Sequence, residues 1–332
     1  FNAWNKRSKS PFGAAKENEF VRIVFRIQED YPVRQIVLRL RRDKEVEDSV
    51  YPLMERGSSE NFTMYEVVFF VKTRGLYFCR FEIQTDSGVL FVGRDEEAKA
   101  VIGDFLPEWQ LTVYAEDFSV PDGLDTGIMY QIFPDRFRRG SRLPLPGTPG
   151  PRTVHKDWNE RPLFAMDVPE YVADDFFCGD LPGIIEKLDY LAELGVTILY
   201  LNPIFEAATN HRYNTGDYRA IDPYLGTAED FEELCVQADK RGIRVILDGV
   251  FSHTGSDSRY FNREGHYPDQ GAWQSTESPY ASWYRFFNPE RTEYECWWGF
   301  TTLPNVNEEN PVFQDFICGG DGVLRQWMGR GA

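Results

Sequence analysis

From residue 128 onward, short apolar runs alternate with segments of helical periodicity. The apolar runs are IMYQIF (128–133), VTILYL (196–201) and IRVILD (243–248). Before the third run, apolar residues recur at helical spacing: Phe231, Leu234, Cys235 and Ala238. Strands that are apolar on both faces and alternate with helices predict a parallel sheet covered by helices.

Helix start and stop signals flank these runs. Residues 181–195 form one predicted helix, with Pro182 in its first turn and Gly195 closing it. Thr227 is the predicted cap of the helix before the third strand, with Asp230 in the capping-box position. The segment 310–332 is also predicted to be one helix, and the apolar residues expected on its buried side are Phe313, Phe316, Ile317, Leu324 and Trp327.

The first hundred residues show a different period. In EFVRIVFRI (19–27), apolar and polar side chains alternate, and the apolar set is Val21, Ile23, Phe25 and Ile27. Several short runs of this kind, separated by polar turns, predict an antiparallel β-sandwich over residues 1–105. Residues 106–127 contain Pro and Gly and are predicted to be a linker.

Composition excludes several classes of protein. The 332 residues carry a formal net charge of −17, which would repel nucleic acid and anionic membranes. The five cysteines are scattered and include no CxxC pair, so neither a disulfide framework nor a zinc site is expected. No apolar run approaches the length that spans a membrane, and we expect a reducing, cytoplasmic location.

Two titratable groups lie at and just beyond the end of the third apolar run. Asp248 is its last residue, and His253 follows in the loop. Functional groups of parallel α/β sheets gather at the carboxyl ends of the strands, which makes both residues candidates for a site. Position alone leaves an alternative, in which Asp248 caps the next turn and His253 is a solvated loop residue.

Two irregular segments strengthen the functional interpretation. The loop after the second run (206–227) carries His211, Tyr213, Asp217 and Tyr218. Residues 256–310 lack periodicity but are rich in rings: Tyr260, Phe261, Tyr267, Trp273, Tyr280, Trp283, Tyr284, Trp297, Trp298 and Phe300. Long irregular segments in compact domains are usually functional, and aromatic rings suit the faces of sugars. For most of these rings, packing into a small aromatic core is the expected alternative.

Five motifs together resemble the alpha-amylase family of glycoside hydrolases, family thirteen. They are YQIFPDRF (130–137), LYLNPIF (199–205), HRYNTGDY (211–218), DGVFSHTG (248–255) and LPNVNE (303–308), in the order found in that family. The resemblance is strongest to its neopullulanase, cyclomaltodextrinase and amylopullulanase-like branch. It implies a (β/α)8 TIM barrel over residues 128–332, with a subdomain inserted after the third strand at about 256–310.

The resemblance also implies roles for individual residues. Tyr213 matches a tyrosine that stacks on the sugar at the cleavage site, and His211 matches a histidine lining the same subsite. His253 matches a histidine that hydrogen-bonds the primary hydroxyl of that sugar, and Asp248 an aspartate that orients an arginine beside the nucleophile. Trp297 and Trp298 are further candidates for binding an α-glucan substrate. The family reaction is retaining hydrolysis, in which two carboxylates about 5–5.5 Å apart act as nucleophile and acid/base.

The catalytic carboxylates expected at strands four and five are not among the 332 residues. The sequence contains three predicted barrel strands, so we expect the first part of a longer enzyme that is inactive by itself. The third strand would leave an unpaired edge. We therefore expect a dimer, or a second polypeptide that completes the barrel.

No cofactor or metal is predicted. Members of the family often bind calcium, but Ser252 stands where they have asparagine, and the loop RRGSR (138–142) offers few oxygen ligands. Asp180 in CGDL matches a calcium ligand but alone makes no site.

Three functions remain open at this point. The first is an α-glucan hydrolase acting on starch, pullulan or cyclodextrins. The second is a non-catalytic glucan-binding or scaffold protein with an amylase-like front half. The third, a transporter-associated ectodomain resembling the same family, is the least favoured because these residues contain no membrane segment.

Overall fold

The computed structural model divides the chain into two compact units, Phe1–Val120 and Pro121–Ala332. The structure describes the following residues: 1–121, 123–124, 126–141, 153–164 and 173–332.

The first unit is a ten-stranded, mainly antiparallel sheet. Its strands are β1 (Lys9–Ser10), β2 (Ala15–Lys16), β3 (Phe20–Gln28), β4 (Gln35–Arg42), β5 (Asp48–Ser59), β6 (Phe62–Phe70), β7 (Gly75–Thr85), β8 (Gly88–Arg94), β9 (Ala100–Ile102) and β10 (Trp109–Tyr114). The order is β1-β3-β6-β5-β4-β7-β10-β2, and β8 pairs with β7 and β9. The long strand β5 pairs with β4 through its first half and with β6 through its second half, with a register shift between Glu55 and Gly57.

The period of two predicted for this unit is confirmed by burial. Val21, Ile23 and Phe25 on β3 are all buried, as are Cys79, Phe81 and Ile83 on β7. These side chains belong to one apolar core. Alternation of this kind places one side of each strand against the core.

The prediction of a linker from residue 106 is wrong over Trp109–Tyr114, which forms β10. Trp109, Leu111 and Val113 are buried at alternate positions, and the strand pairs with β7. The alternation covers only six residues and lies close to Pro107, so it is a weak signal in the sequence. The sheet therefore extends closer to the unit boundary than predicted.

The second unit alternates strands and helices. Its strands are β11 (Met129–Ile132), β12 (Thr153–Val154), β13 (Asp175–Phe176), β14 (Ile198–Leu201), β15 (Phe205–Ala207), β16 (Thr215–Ile221) and β17 (Arg244–Leu247). Its α-helices are α1 (Leu181–Glu186), α2 (Leu188–Glu193), α3 (Ala228–Asp239), α4 (Pro311–Cys318) and α5 (Val323–Gly329). Single 3-10 turns lie at Pro134–Arg136, Ala281–Trp283 and Trp297–Gly299.

The three apolar runs form a parallel sheet in the order β11-β14-β17, as the sequence predicts. Ile132 pairs with Leu201, and Leu201 pairs with Leu247. Because these are the last residues of their strands, the three carboxyl ends are level. The loops that follow the three strands therefore begin side by side.

The helix before β17 has the predicted cap and the predicted buried face. The Thr227 side chain accepts from the Asp230 N–H, and the Asp230 side chain accepts from the Thr227 N–H, which is a complete capping box. Phe231, Leu234, Cys235 and Ala238 are buried. The chain leaves this helix through Gly242, whose φ of +69° favours glycine.

Two helices predicted to be continuous are each divided. Residues 181–195 form α1 and α2, because at Lys187 the N–H donates to Ile184 O, three residues back, and tightens the turn. The final segment forms α4 and α5, separated at Gly319 to Gly322. Val323 is fully buried there, whereas Leu324, predicted to be buried, is 40% exposed.

No helix among the described residues has the length and apolar character needed to cross a bilayer.

The parallel sheet has two open edges within the described part of the chain, since β11 and β17 each pair on one side. Open edges with apolar side chains favour pairing with another chain. We predict that a polypeptide of these 332 residues self-associates, as measured by light scattering. Ile246→Lys, which places a charge on the edge strand β17, should reduce association.

Val236→Lys is the matched control, because Val236 is 50% exposed and belongs to helix α3, not to an edge strand. A monodisperse monomer of the unsubstituted chain would contradict the prediction. Equal effects of the two lysine substitutions would show that association does not use the edge.

Candidate functional site

Asp248 lies immediately beyond β17 and is half-buried. Its N–H donates to Leu201 O at 3.0 Å and so extends the strand pairing by one residue. Its Oδ2 accepts a hydrogen bond of 2.9 Å from the Tyr213 hydroxyl. Burial and the bond to Asp248 raise the pKa of Tyr213, so this phenol is a donor at neutral pH.

His211 and Tyr213 belong to the loop between β15 and β16. The Tyr213 N–H donates to His211 Nδ1 at 3.0 Å. An Nδ1 that accepts from a backbone N–H carries no proton, so a neutral His211 holds its proton on Nε2. Burial, followed by the charge of Arg212, lowers the pKa of His211 to about 4.

His253 is held by bonds on both sides of its ring. Its Nε2 lies 3.2 Å from the backbone oxygen of Tyr213, and its Nδ1 lies 3.1 Å from Ser252 Oγ. A carbonyl only accepts, so Nε2 carries the proton and Nδ1 accepts from the serine hydroxyl. Burial lowers the pKa of this imidazole. His253 is 5% exposed, so the alternative of a solvated loop histidine is wrong.

The aromatic residues of 256–310 divide into two groups. Most are buried or partly buried, but they join the main apolar core of the second unit and do not form the separate small core that the alternative predicted. The buried rings are Tyr260, Phe261, Trp283, Tyr284 and Tyr294. Trp297, Trp298 and Phe300 remain exposed, Trp298 by 84%. We call these three residues the aromatic platform.

The aromatic platform adjoins the polar residues. The ring of Trp297 lies 5.4 Å from that of His253, measured between centroids. Trp298 stacks on Trp297 at 5.1 Å with an interplanar angle of 10°. Trp298 has a φ of +50°, a conformation that costs energy in a residue other than glycine. The strained backbone thus presents a broad exposed ring surface next to His253.

A buried ion pair supports the His211 loop. Arg212 and Asp222 are both fully buried, and Arg212 Nη2 lies 3.2 Å from Asp222 Oδ1. Arg212 Nη1 donates to Asn210 O at 2.6 Å. The side chain between two candidate site residues therefore points into the protein and anchors them. This ion pair was not predicted from the sequence. The one available signal was the position of Arg212 between two candidate site residues, His211 and Tyr213.

Buried carboxylates connect this loop to the loops after β11 and β13. Asp175 is fully buried and accepts from Asn210 Nδ2 at 3.0 Å and from Arg136 Nη2 at 3.1 Å. Asp135, also fully buried, accepts from the N–H groups of Phe177 and Cys178. Burial raises the pKa of Asp135, and the Arg212 charge acts in the opposite direction. This network was not predicted from the sequence.

Asp217 and Tyr218, noted in the same loop, have structural partners. Tyr218 is fully buried, and its hydroxyl donates to Val250 O at 2.7 Å. Asp217 accepts from the Tyr260 hydroxyl at 3.0 Å and pairs with Arg259 at 2.8 Å. These contacts join the hairpin β15–β16 to the 256–310 segment.

The positions where calcium was considered do not fit that ion. Asp180 Oδ1 accepts from the N–H groups of Gly140 and Gly183 and caps α1. Arg138 and Arg139 add positive charge beside it, and Arg142 of the same loop lies outside the described residues. Ser252 Oγ contacts His253. Among the described residues, no group of three His, Cys, Asp or Glu side chains is placed to hold a metal ion.

A parallel β/α sheet with polar and aromatic groups at its carboxyl edge defines a class of α/β enzyme and binding domains. The family model described as "Alpha amylase, catalytic domain" matches residues 131–320. The chain therefore belongs to the alpha-amylase family, and the fold is that of the family, with a sheet that corresponds to part of its TIM barrel.

Individual relatives agree with this assignment. The chain is 38% identical over 329 residues to an amylopullulanase of Thermoanaerobacterium saccharolyticum, covering 91% of this chain and 25% of that protein. It is 31% identical to neopullulanase 2 of Thermoactinomyces vulgaris, covering 83% of this chain and 44% of the relative. The solved type III pullulan hydrolase of Thermococcus kodakarensis matches with a TM-score of 0.55 and 26% identity, over 96% of this chain and 53% of that one. The chain thus spans only a quarter to a half of the length of these relatives.

The depressed pKa of His211 predicts a pH effect on stability. Between the ordinary pKa of 6.5 and about 4, the unfolded chain binds a proton at this position and the folded chain does not. The free energy of unfolding should therefore fall as the pH falls through this window, by about 2–3 kcal/mol from this residue. Urea unfolding at pH 7 and pH 4.5, followed by tryptophan fluorescence, should show a smaller loss for His211→Gln than for the unsubstituted chain.

His266→Gln is the matched control, since His266 is exposed. This control should keep the full pH dependence. If His211→Gln loses as much stability on acidification as the unsubstituted chain, the imidazole does not stay neutral in the folded state.

Proposed function

We propose that the chain supplies the substrate-binding part of an α-glucan hydrolase with a retaining mechanism. One observation carries the proposal: His211 and Tyr213 from one loop, Asp248 and His253 from the segment after β17, and Trp297 from a third segment form a continuous set of contacts. Membership of the alpha-amylase family supports the same chemistry.

In this proposal the polar groups bind the sugar at the cleavage site. The Tyr213 ring stacks on the sugar, and His211 and His253 contact its hydroxyls. Neutral imidazoles suit this role, and His211 can donate through Nε2, since its Nδ1 accepts from the Tyr213 N–H. In His253 both nitrogens have protein partners, so a sugar hydroxyl would take the place of one of them. Burial lowers the pKa of both imidazoles and so favours their neutral forms.

Asp248 has a supporting role. Its carboxylate accepts from Tyr213, and no cation pairs with it among the described residues. It therefore keeps acceptor capacity for the family arginine beside the nucleophile. A retaining reaction also needs a nucleophile and an acid/base, about 5–5.5 Å apart. On this assignment, neither is among these 332 residues.

The finer architecture belongs to the same proposal. We infer a β-sandwich for the first unit, in which β5 crosses between two sheets at the register shift beside Gly57. In the second unit, β11, β14 and β17 are the first three strands of a (β/α)8 barrel. The segment 256–310 is the inserted subdomain that carries the aromatic platform.

A non-catalytic glucan-binding protein is the second candidate. The exposed aromatic platform favours it, because stacking on sugars needs no catalytic carboxylate. The names of the relatives, an amylopullulanase, a neopullulanase and a pullulan hydrolase, support α-glucans as the substrate class in either case.

The first test is of hydrolysis. A polypeptide of these 332 residues should release no reducing sugar from maltooligosaccharides or pullulan, because binding residues cannot replace the covalent step. An active α-amylase in the same buffer is the positive control. Release above the buffer level by a sample of verified mass would contradict the assignment of the catalytic groups.

The second test is of binding. Trp298→Ala should weaken retardation by soluble starch in affinity electrophoresis by about threefold to tenfold, because a stacking contact contributes about 0.5–1.5 kcal/mol. Phe287→Ala is the control, since Phe287 is also an exposed aromatic residue of the 256–310 segment, at 61%. Equal retardation of both variants and the unsubstituted chain would show that the aromatic platform does not bind the glucan.

A further inference from the structure

One cavity in the second unit has a charge opposite to that of the chain. The chain carries a net charge of −17, yet four cationic side chains line this cavity of about 350 Å³: Arg138, Arg139, Lys156 and Lys187. The other lining residues are Phe137, His155, Trp158 and Phe177. No Asp or Glu is among these eight described residues. We call the site the cationic cavity.

Three of these four cations form no ion pair among the described residues, although Arg139 lies in the neighbourhood of the buried Asp180 carboxylate. Arg138 lies 3.3 Å from Glu186, but the two side chains are 50% and 32% exposed, so this ion pair is weak. Arg139, Lys156 and Lys187 have no ion pair with any described residue. Arg139 and Lys187 are also half-buried, which is costly for unpaired cations. A bound anion would remove this cost.

His155 adds a buried polar atom to the wall. The residue is 8% exposed, and its ring stacks on Phe177 at 4.1 Å. Its Nδ1 lies 2.9 Å from Glu160 Oε2. Its Nε2 lies 3.4 Å from Asp175 Oδ2 and has no hydrogen-bond partner in the part of the chain that the structure describes. This nitrogen therefore faces a buried carboxylate, and the contacts to an anion are assigned to the arginines and lysines.

The wall is held in shape without a ligand. Glu160 Oε1 accepts from the N–H groups of Lys156 and Asp157, which closes the turn that carries Lys156 and Trp158. The Trp158 ring packs edge-on against Phe177 at 5.8 Å and remains 45% exposed. An ordered aromatic surface therefore adjoins the cations.

We propose that the cationic cavity binds a phosphate monoester carried on a sugar ring. Arginine matches the oxygens of phosphate through paired N–H groups, and lysine adds point charges. The exposed ring of Trp158 suits the apolar face of the sugar. The sugar part rests on the proposed function, whereas the anion part does not. Two sources share this chemistry: a phosphorylated glucose unit within an α-glucan, and a free sugar phosphate.

The anion part is tested with inorganic phosphate by titration calorimetry at low ionic strength. Arg139→Gln combined with Lys187→Gln should weaken binding about tenfold or more, because two charge-assisted contacts are lost. Lys156→Gln, on an exposed residue, should weaken it less and provides a variant with little effect on folding. The matched control is Lys240→Gln combined with Arg325→Gln, which removes two exposed charges of the same unit elsewhere.

The outcomes separate the parts of the proposal. The anion site would be overturned if the unsubstituted chain did not bind phosphate, or if the control variant lost as much phosphate affinity as the double variant. Either result would hold whether or not the chain binds neutral glucans. Glucose 6-phosphate should bind more tightly than inorganic phosphate, and Trp158→Ala should abolish the difference. Equal affinities for the two would overturn the sugar part.

A last comparison identifies the source. A phosphorylated maltodextrin that binds more tightly than glucose 6-phosphate would support a site for modified α-glucan, and the reverse order would support a free sugar phosphate. Retention by neutral starch through Trp298 is measured separately, so a failure of the proposed function would be distinguishable from a failure of this site.

Discussion

The level carboxyl ends of β11, β14 and β17 are the constraint on which the site depends. Because Ile132, Leu201 and Leu247 pair in one row, the loops that follow them begin side by side. Asp248 continues that row by one residue through its bond to Leu201 O. Tyr213 reaches Asp248 from the neighbouring loop. A shift in register would separate the carboxylate from the phenol that binds it.

The strands set where the loops begin, and buried charged groups then hold the His211 loop in its conformation. The Arg212–Asp222 pair has no exposure to solvent, and removing one partner of such a pair costs about 3–5 kcal/mol. Asn210 and Asp175 extend the network to β13. The cost of disturbing these buried groups keeps His211 and Tyr213 in place without a ligand. By contrast, Arg139, Lys156 and Lys187 of the cationic cavity form no ion pair with any described residue, so their charges do not support a loop in this way.

Much of the second unit follows from local patterns. The three apolar runs became the three parallel strands, and the capping box at Thr227 and the buried face of α3 follow directly from residue spacing. Local patterns failed where a few residues change the geometry, as at Lys187 between α1 and α2 and at Gly319 between α4 and α5. They also missed β10, since six alternating residues beside a proline are a weak signal.

The sequence by itself determined the parallel sheet, the order of the motifs and the residue types at the strand ends, because periodicity and motif spacing are local properties of the chain. Only the tertiary structure decided which aromatic rings are exposed, since Trp283 and Trp298 are the same residue type but lie at 2% and 84% exposure. It also decided that Arg212 is buried beside Asp222 and that cations from three separate segments share one cavity. Burial and charge pairing depend on contacts between residues far apart in the chain, and those contacts exist only once the chain has folded.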